Sequence, residues 1–107
     1  ENAAPRLSDL KLSLDEALGA FEQSIEQFVR MLKLGCVHGD YSTFNLLWWE
    51  GKVYVIDLPQ TVEIQQNPAW LALLERDIQT LCTSFIRLGV RKEPLEILKR
   101  VRYEASL

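Results

Sequence analysis

A single, mainly helical α+β domain is what this sequence predicts. Helices are expected over about 14–34, 68–88 and 94–104, with one β-hairpin over about 46–49 and 53–56. Three observations lead there. A capping box opens a long apolar stripe near the N-terminus. Two short runs of β-branched and aromatic residues flank Glu50-Gly51-Lys52, and Asn67-Pro68 opens a second stripe that Gly89 closes.

Residues 1–12 show no sustained period and contain Pro5, so an extended lead-in is expected. In Ser13-Leu14-Asp15-Glu16 the Ser13 hydroxyl can accept from the Glu16 amide while the Glu16 carboxylate returns to the Ser13 amide. Leu14, Leu18, Phe21, Ile25, Phe28 and Leu32 then recur at three- and four-residue steps, one face of a helix that Gly35 can stop. Leu46–Trp49 and Val53–Ile56 read as strands around a glycine-containing turn. Trp48 and Trp49 are adjacent in a strand, so one of them must face away from the local core.

The stretch 58–66 reads as too short and broken to form an element. Asn67-Pro68 suits an N-cap and a first-turn proline, and Trp70, Leu74, Asp77, Leu81, Phe85 and Leu88 form the next stripe. Asp77 stands where that period asks for an apolar residue. Either it is solvated at the edge of the stripe beside Arg76, or it points inward and accepts backbone hydrogen bonds. A last helix follows Pro94 with Leu95, Leu98 and Val101 inward, and the tail from about Glu104 is expected to fray.

With 48% apolar and 25% charged residues, 107 residues can bury one modest core. A formal net charge of −3 argues against a polyanion-binding surface spread over the domain, so no direct nucleic-acid partner is expected. No apolar run is long enough to span a bilayer, and the polar start shows no secretory signal. Cys36 and Cys82 lack metal-binding spacing and read as two reduced thiols, which points to a cytoplasmic location.

The chemistry concentrates in residues 37–60. A hairpin folds its open ends together, so Asn45, which enters the first strand, and Asp57, which leaves the second, should lie side by side. Asp40, five residues before Asn45 on a loop, can reach the same place. Such oxygen ligands suit a hard cation such as Mg²⁺ (or Mn²⁺), with phosphate oxygens completing its shell.

His38-Gly39-Asp40 followed by Asn45 resembles the catalytic loop of the protein-kinase superfamily, where the Asp is the base and the Asn a metal ligand. Asp57 after Tyr54-Val55-Ile56 looks like that superfamily's second metal ligand, although Leu58-Pro59-Gln60 follows it in place of Phe-Gly. Together with Asn67-Pro68-Ala69 and Arg76-Asp77, these pieces resemble the RIO family of atypical protein kinases, over about Ala4 to Phe85.

The resemblance implies a C-terminal lobe of a serine/threonine kinase or ATPase that uses ATP and a divalent metal. Asp40 would be catalytic, Asn45 and Asp57 would bind metal and nucleotide, and His38 and Asp77 would support the loop from beneath. It also implies an N-terminal lobe with a Gly-rich turn and a phosphate-binding Lys. The scattered Gly19, Gly35, Gly39, Gly51 and Gly89 form no such turn, so that lobe is expected to be absent from these 107 residues and the chain alone inactive. An apolar face left bare by it, including Leu47 or one of the tryptophans, should then favour self-association. Two other readings share part of the pattern. Small-molecule phosphotransferases of the aminoglycoside or choline kinase type carry a similar His-Gly-Asp and Asn, and a non-catalytic binding module would need none of the missing parts.

Overall fold

The computed structural model describes residues 4–56, 62–63 and 68–107. Helix α1 (Leu14–Lys33) is the central support of the fold. Its capping box is formed in full, with the Glu16 amide donating to Ser13 Oγ and the Ser13 amide donating to Glu16 Oε1, both at 3.1 Å. Gly35, at φ 87°, turns the chain out of the helix into β1 (Cys36–Val37). A loop with a 3-10 turn at Thr43–Asn45 leads into β2 (Leu46–Trp49), which pairs antiparallel with β3 (Lys52–Val55). Glu50 and Gly51 both take positive φ at the hairpin tip, as a two-residue turn of this hand requires.

A second small sheet pairs β1 with β4 (Val62–Glu63), antiparallel, Cys36 opposite Glu63. The expectation that 58–66 holds no element is therefore corrected. Two paired residues leave no side-chain period to read. Helix α2 (Trp70–Ile86) begins two residues later than expected, after a turn at Pro68-Ala69, and Asn67 lies outside the described residues. Its C-terminus closes with the Val90 amide donating to the Phe85 carbonyl and the Gly89 amide to the Ile86 carbonyl, with Gly89 at φ 88°. Helix α3 (Pro94–Glu104) ends the same way. Ser106 sits at φ 60°, its amide donates to Tyr103, and the Leu107 amide donates to Arg102 at 2.8 Å. The last residues are thus tied down instead of frayed.

The core runs between α1, α2 and the hairpin. Phe21 meets Phe85 edge-on at 5.1 Å, and Ile25, Phe28, Leu74, Ile78 and Leu81 are buried around them. The buried face of α1 passes through Ala17, Ala20 and Ser24, small residues that let its neighbours approach closely, while Leu14 and Leu18 at the first turns are exposed. In α3 it is Ile97 and Val101 that are buried, and Leu95 faces water. Of the two strand tryptophans, Trp48 packs against the core and Trp49 is exposed.

The lead-in is extended at Pro5-Arg6 and then makes a 3-10 turn at Leu7–Asp9. It lies along the hairpin, where the Pro5 carbonyl accepts from the Trp48 amide at 2.9 Å and Arg6 bridges to Leu47. Arg87, just past α2, fastens it from the other side by donating to the carbonyls of Leu7 (3.0 Å) and Leu10 (3.2 Å). No helix among the described residues is long and apolar enough to cross a membrane.

Candidate active site

The loop from His38 to Asn45 is shaped by one buried carboxylate. Asp77, in the middle of α2, points inward with no exposure. Its Oδ2 accepts from the amides of His38 (3.0 Å) and Gly39 (2.8 Å), and its Oδ1 from the amide of Tyr41 (3.2 Å). Burial pushes its carboxyl above the usual carboxylate range, and the three backbone amides pull it back only in part. Gly39 lies at φ 92° inside this wrap, a left-handed conformation that a side chain would strain.

His38 is fully buried and uses both ring nitrogens. The Asp40 amide donates to Nδ1 at 3.1 Å, which makes Nδ1 the acceptor and leaves Nε2–H to donate to the Ile56 carbonyl at 3.1 Å. The ring therefore links the loop to the open end of the hairpin. Ile56 is held a second time, its amide donating to the Asn45 carbonyl at 3.0 Å.

Asp40 is exposed and Asn45 is buried, and they touch. Asn45 Nδ2 donates to the Asp40 carbonyl at 2.8 Å and to Asp40 Oδ2 at 3.2 Å, closing the five-residue loop on itself. Asn45 Oδ1 is buried with no hydrogen-bond partner among the described residues. A buried acceptor left unmatched is costly unless a ligand satisfies it. Asp57 lies outside the described residues, so the structure brings together Asp40, Asn45, His38 and Asp77 only. Among the described residues, no three His, Cys, Asp or Glu side chains cluster as a metal site.

Three supporting residues were not singled out in the sequence. Tyr41 is buried and its hydroxyl donates to the Ser24 carbonyl of α1 at 2.6 Å, with burial and the Asp77 charge pushing the phenol upward. Ser84 Oγ accepts from the Thr43 amide at 3.0 Å. The signal for Ser84 is its spacing, two helical turns after Asp77 and so on the same face. Gln23 grips the hairpin tip, and no local pattern marks it. Beside the loop, an open hollow of about 620 Å³ is lined by Ala4, Pro5, Arg6, Asp9, Leu47 and Ile56.

A mainly helical α+β domain with an Asp–Asn loop braced by a buried helix aspartate defines a protein of the kinase-like class. The family model described as RIO domain matches residues 1–97, and the chain belongs to that family. The probable serine/threonine-protein kinase RIO1 homolog of Encephalitozoon cuniculi is 43% identical over 88 residues, 81% of this chain and 22% of that protein. The RIO-type serine/threonine-protein kinase Rio1 of Thermoplasma acidophilum is 35% identical over 99 residues, 92% of this chain and 50% of that protein. The Rio2 kinase-ADP/Mg²⁺-phosphoaspartate complex from Chaetomium thermophilum has the same fold, with a TM-score of 0.74 at 22% identity, over 97% of this chain and 34% of that one. The chain spans half or less of the length of these relatives.

Proposed function

We propose that this chain is the C-terminal catalytic lobe of a RIO-type serine/threonine kinase, which moves the γ-phosphoryl group of Mg-ATP. The observation that carries this reading is Asn45 Oδ1, a buried oxygen without a partner among the described residues, held beside the exposed Asp40 carboxylate. An amide oxygen of that kind suits a hard cation, and with Asp57 it would hold Mg²⁺ (or Mn²⁺). The metal would neutralise charge on the phosphates. Asp40 would accept, or orient, the proton of the attacking hydroxyl. His38 and Asp77 touch no substrate in this scheme and fix the loop. The hollow over Leu47 and Ile56 offers an apolar floor for the purine, and the rest of the nucleotide site is assigned to an N-terminal lobe outside these 107 residues.

In the full-length protein, Asp40→Asn should lower ATP-dependent phosphoryl transfer by about 10²- to 10⁴-fold. Asn45→Ala should raise the Mg²⁺ concentration needed for half-maximal rate. Undiminished transfer by Asp40→Asn would end this assignment. The 107-residue chain alone should show no useful turnover, because phosphoryl transfer is nearly all positioning and charge neutralisation and half of those parts lie elsewhere.

The phosphoaspartate named in the Chaetomium Rio2 complex favours a second reading, an ATPase in which an aspartate takes the phosphoryl group before water does. An acyl phosphate is cleaved by hydroxylamine and a phosphoserine is not, so hydroxylamine treatment of the labelled protein separates the two.

A further inference from the structure

Two consecutive residues of α1 hold the two arms of the site. Gln23 lies against the hairpin, its Nε2 donating to the Gly51 carbonyl at 2.7 Å and its Oε1 accepting from the Val53 amide at 2.9 Å. A primary amide used at both ends this way stands in for a neighbouring strand at the start of β3. One residue on, the Ser24 carbonyl accepts the Tyr41 hydroxyl at 2.6 Å. The Tyr41 ring is packed against Phe28 at 4.9 Å and His38 at 5.6 Å, and its backbone amide is held by Asp77.

Asp40 is therefore mounted between two anchored neighbours. Its own amide rests on the His38 ring, and the next residue is pinned to α1. Asn45 is the residue from which the hairpin starts, and the hairpin is referenced to α1 through Gln23. We propose that Gln23 and Tyr41 are positioning residues, which set from one rigid helix the separation between the Asp40 carboxylate and the Asn45 amide.

This inference rests on the phosphoryl-transfer reading above. Packing alone explains an aromatic ring at Tyr41 but not a hydroxyl with a 2.6 Å bond to a helix carbonyl. A polar surface explains a half-buried glutamine but not the use of both ends of its amide on one turn. Displacement of a catalytic group by about 1 Å can cost up to about 10²-fold in rate, so small errors in this mount are expected to be felt.

The test uses Tyr41→Phe and Gln23→Met, alone and together, in the full-length protein, with two readouts. Each single variant should lower kcat about tenfold and leave KM for ATP within about twofold. The double variant should lose less than the product of the two, because both act on one separation. Amide hydrogen exchange should quicken at Asp40, Asn45 and Ile56, and in Gln23→Met also at Val53, which loses its acceptor, and stay unchanged in α2. Unchanged kcat with unchanged exchange overturns the proposal. So does exchange that quickens evenly through all three helices, which is ordinary loss of stability. If the parent protein transfers no phosphoryl group, the functional reading fails, and exchange alone decides: a loss confined to the loop, the hairpin base and, in Gln23→Met, the Val53 amide supports the mount, any other pattern overturns it.

Discussion

Asp77 shapes the loop more than any group that faces the cleft. One carboxylate satisfies three amides that would otherwise be buried and unpaired, each worth about 1–3 kcal/mol. Asp77→Ala should therefore cost about 3 kcal/mol or more in urea unfolding, and loosen the loop at the same time. The pH dependence has a definite sign. A carboxyl raised above its ordinary 3.8 in the fold binds its proton more tightly there than in the unfolded chain. Its contribution is fully present below the ordinary value and is lost as pH rises through the folded value. The difference in unfolding free energy between the parent and Asp77→Asn should slope downward across that acid window and flatten above it. No slope in the difference would mean that the carboxyl titrates alike in both states. Asp77 was legible in the sequence because it breaks an apolar period. Tyr41 was not, because an aromatic residue in a loop signals nothing until its partner across the fold is known.

At the scale of the elements, sequence and backbone agree most closely at the capping box and Gly35 of α1 and at the Gly89 stop of α2, because these signals are local. By contrast, α2 starts late, with Ala69 in the cap position. Gly89 and Ser106 occupy equivalent left-handed positions after α2 and α3. A Cβ at Gly89 would meet only Leu14 Cδ1, at an ordinary 3.9 Å, so Gly89→Ala should cost the backbone strain alone, about 1 kcal/mol. Ser106→Gly should recover a similar amount. Thermal unfolding of both variants checks the pair, and equal shifts of one sign would contradict the argument. Burial was harder to read than capping. The stripe of large residues in α1 begins at Leu14 and Leu18, yet the packed face turns through Ala17, Ala20 and Ser24, because close approach selects small side chains that hydropathy counts poorly. Leu95 faces water, against the expectation, for a related reason. An eleven-residue helix supports several stripes, and the neighbouring helices choose Ile97 and Val101. Asp57 and Asn67, which complete the sequence argument for the site, fall outside the described residues.

For the whole molecule, the outer side of the hairpin is the surface that asks for a cover. Trp49 is 44% exposed and Tyr54 47%, with Leu47 half-buried on the same face. Exposed apolar area of this kind is often covered by a partner, in the proposed full protein by the other lobe. The 107-residue chain should accordingly sediment with a concentration-dependent dimer, and Trp49→Ser should weaken it. A strictly monomeric chain at high concentration would remove this reason for placing a lobe there.

Arg87 gives the chain a direction in time. It lies eighty residues beyond Leu7, whose carbonyl it holds, so the first described segment is fastened by a group that leaves the ribosome far later. Contacts of such long range repay their loop-closure cost late. The lead-in is then expected to dock after the helices and the hairpin have formed, as the closing event of folding. If so, Arg87→Ala should speed unfolding while leaving the refolding limb of the chevron in place. A slowed refolding limb would put the clamp in the nucleus instead. On the expected order, a nascent chain holds its helical core before the segment around Leu7 is secured.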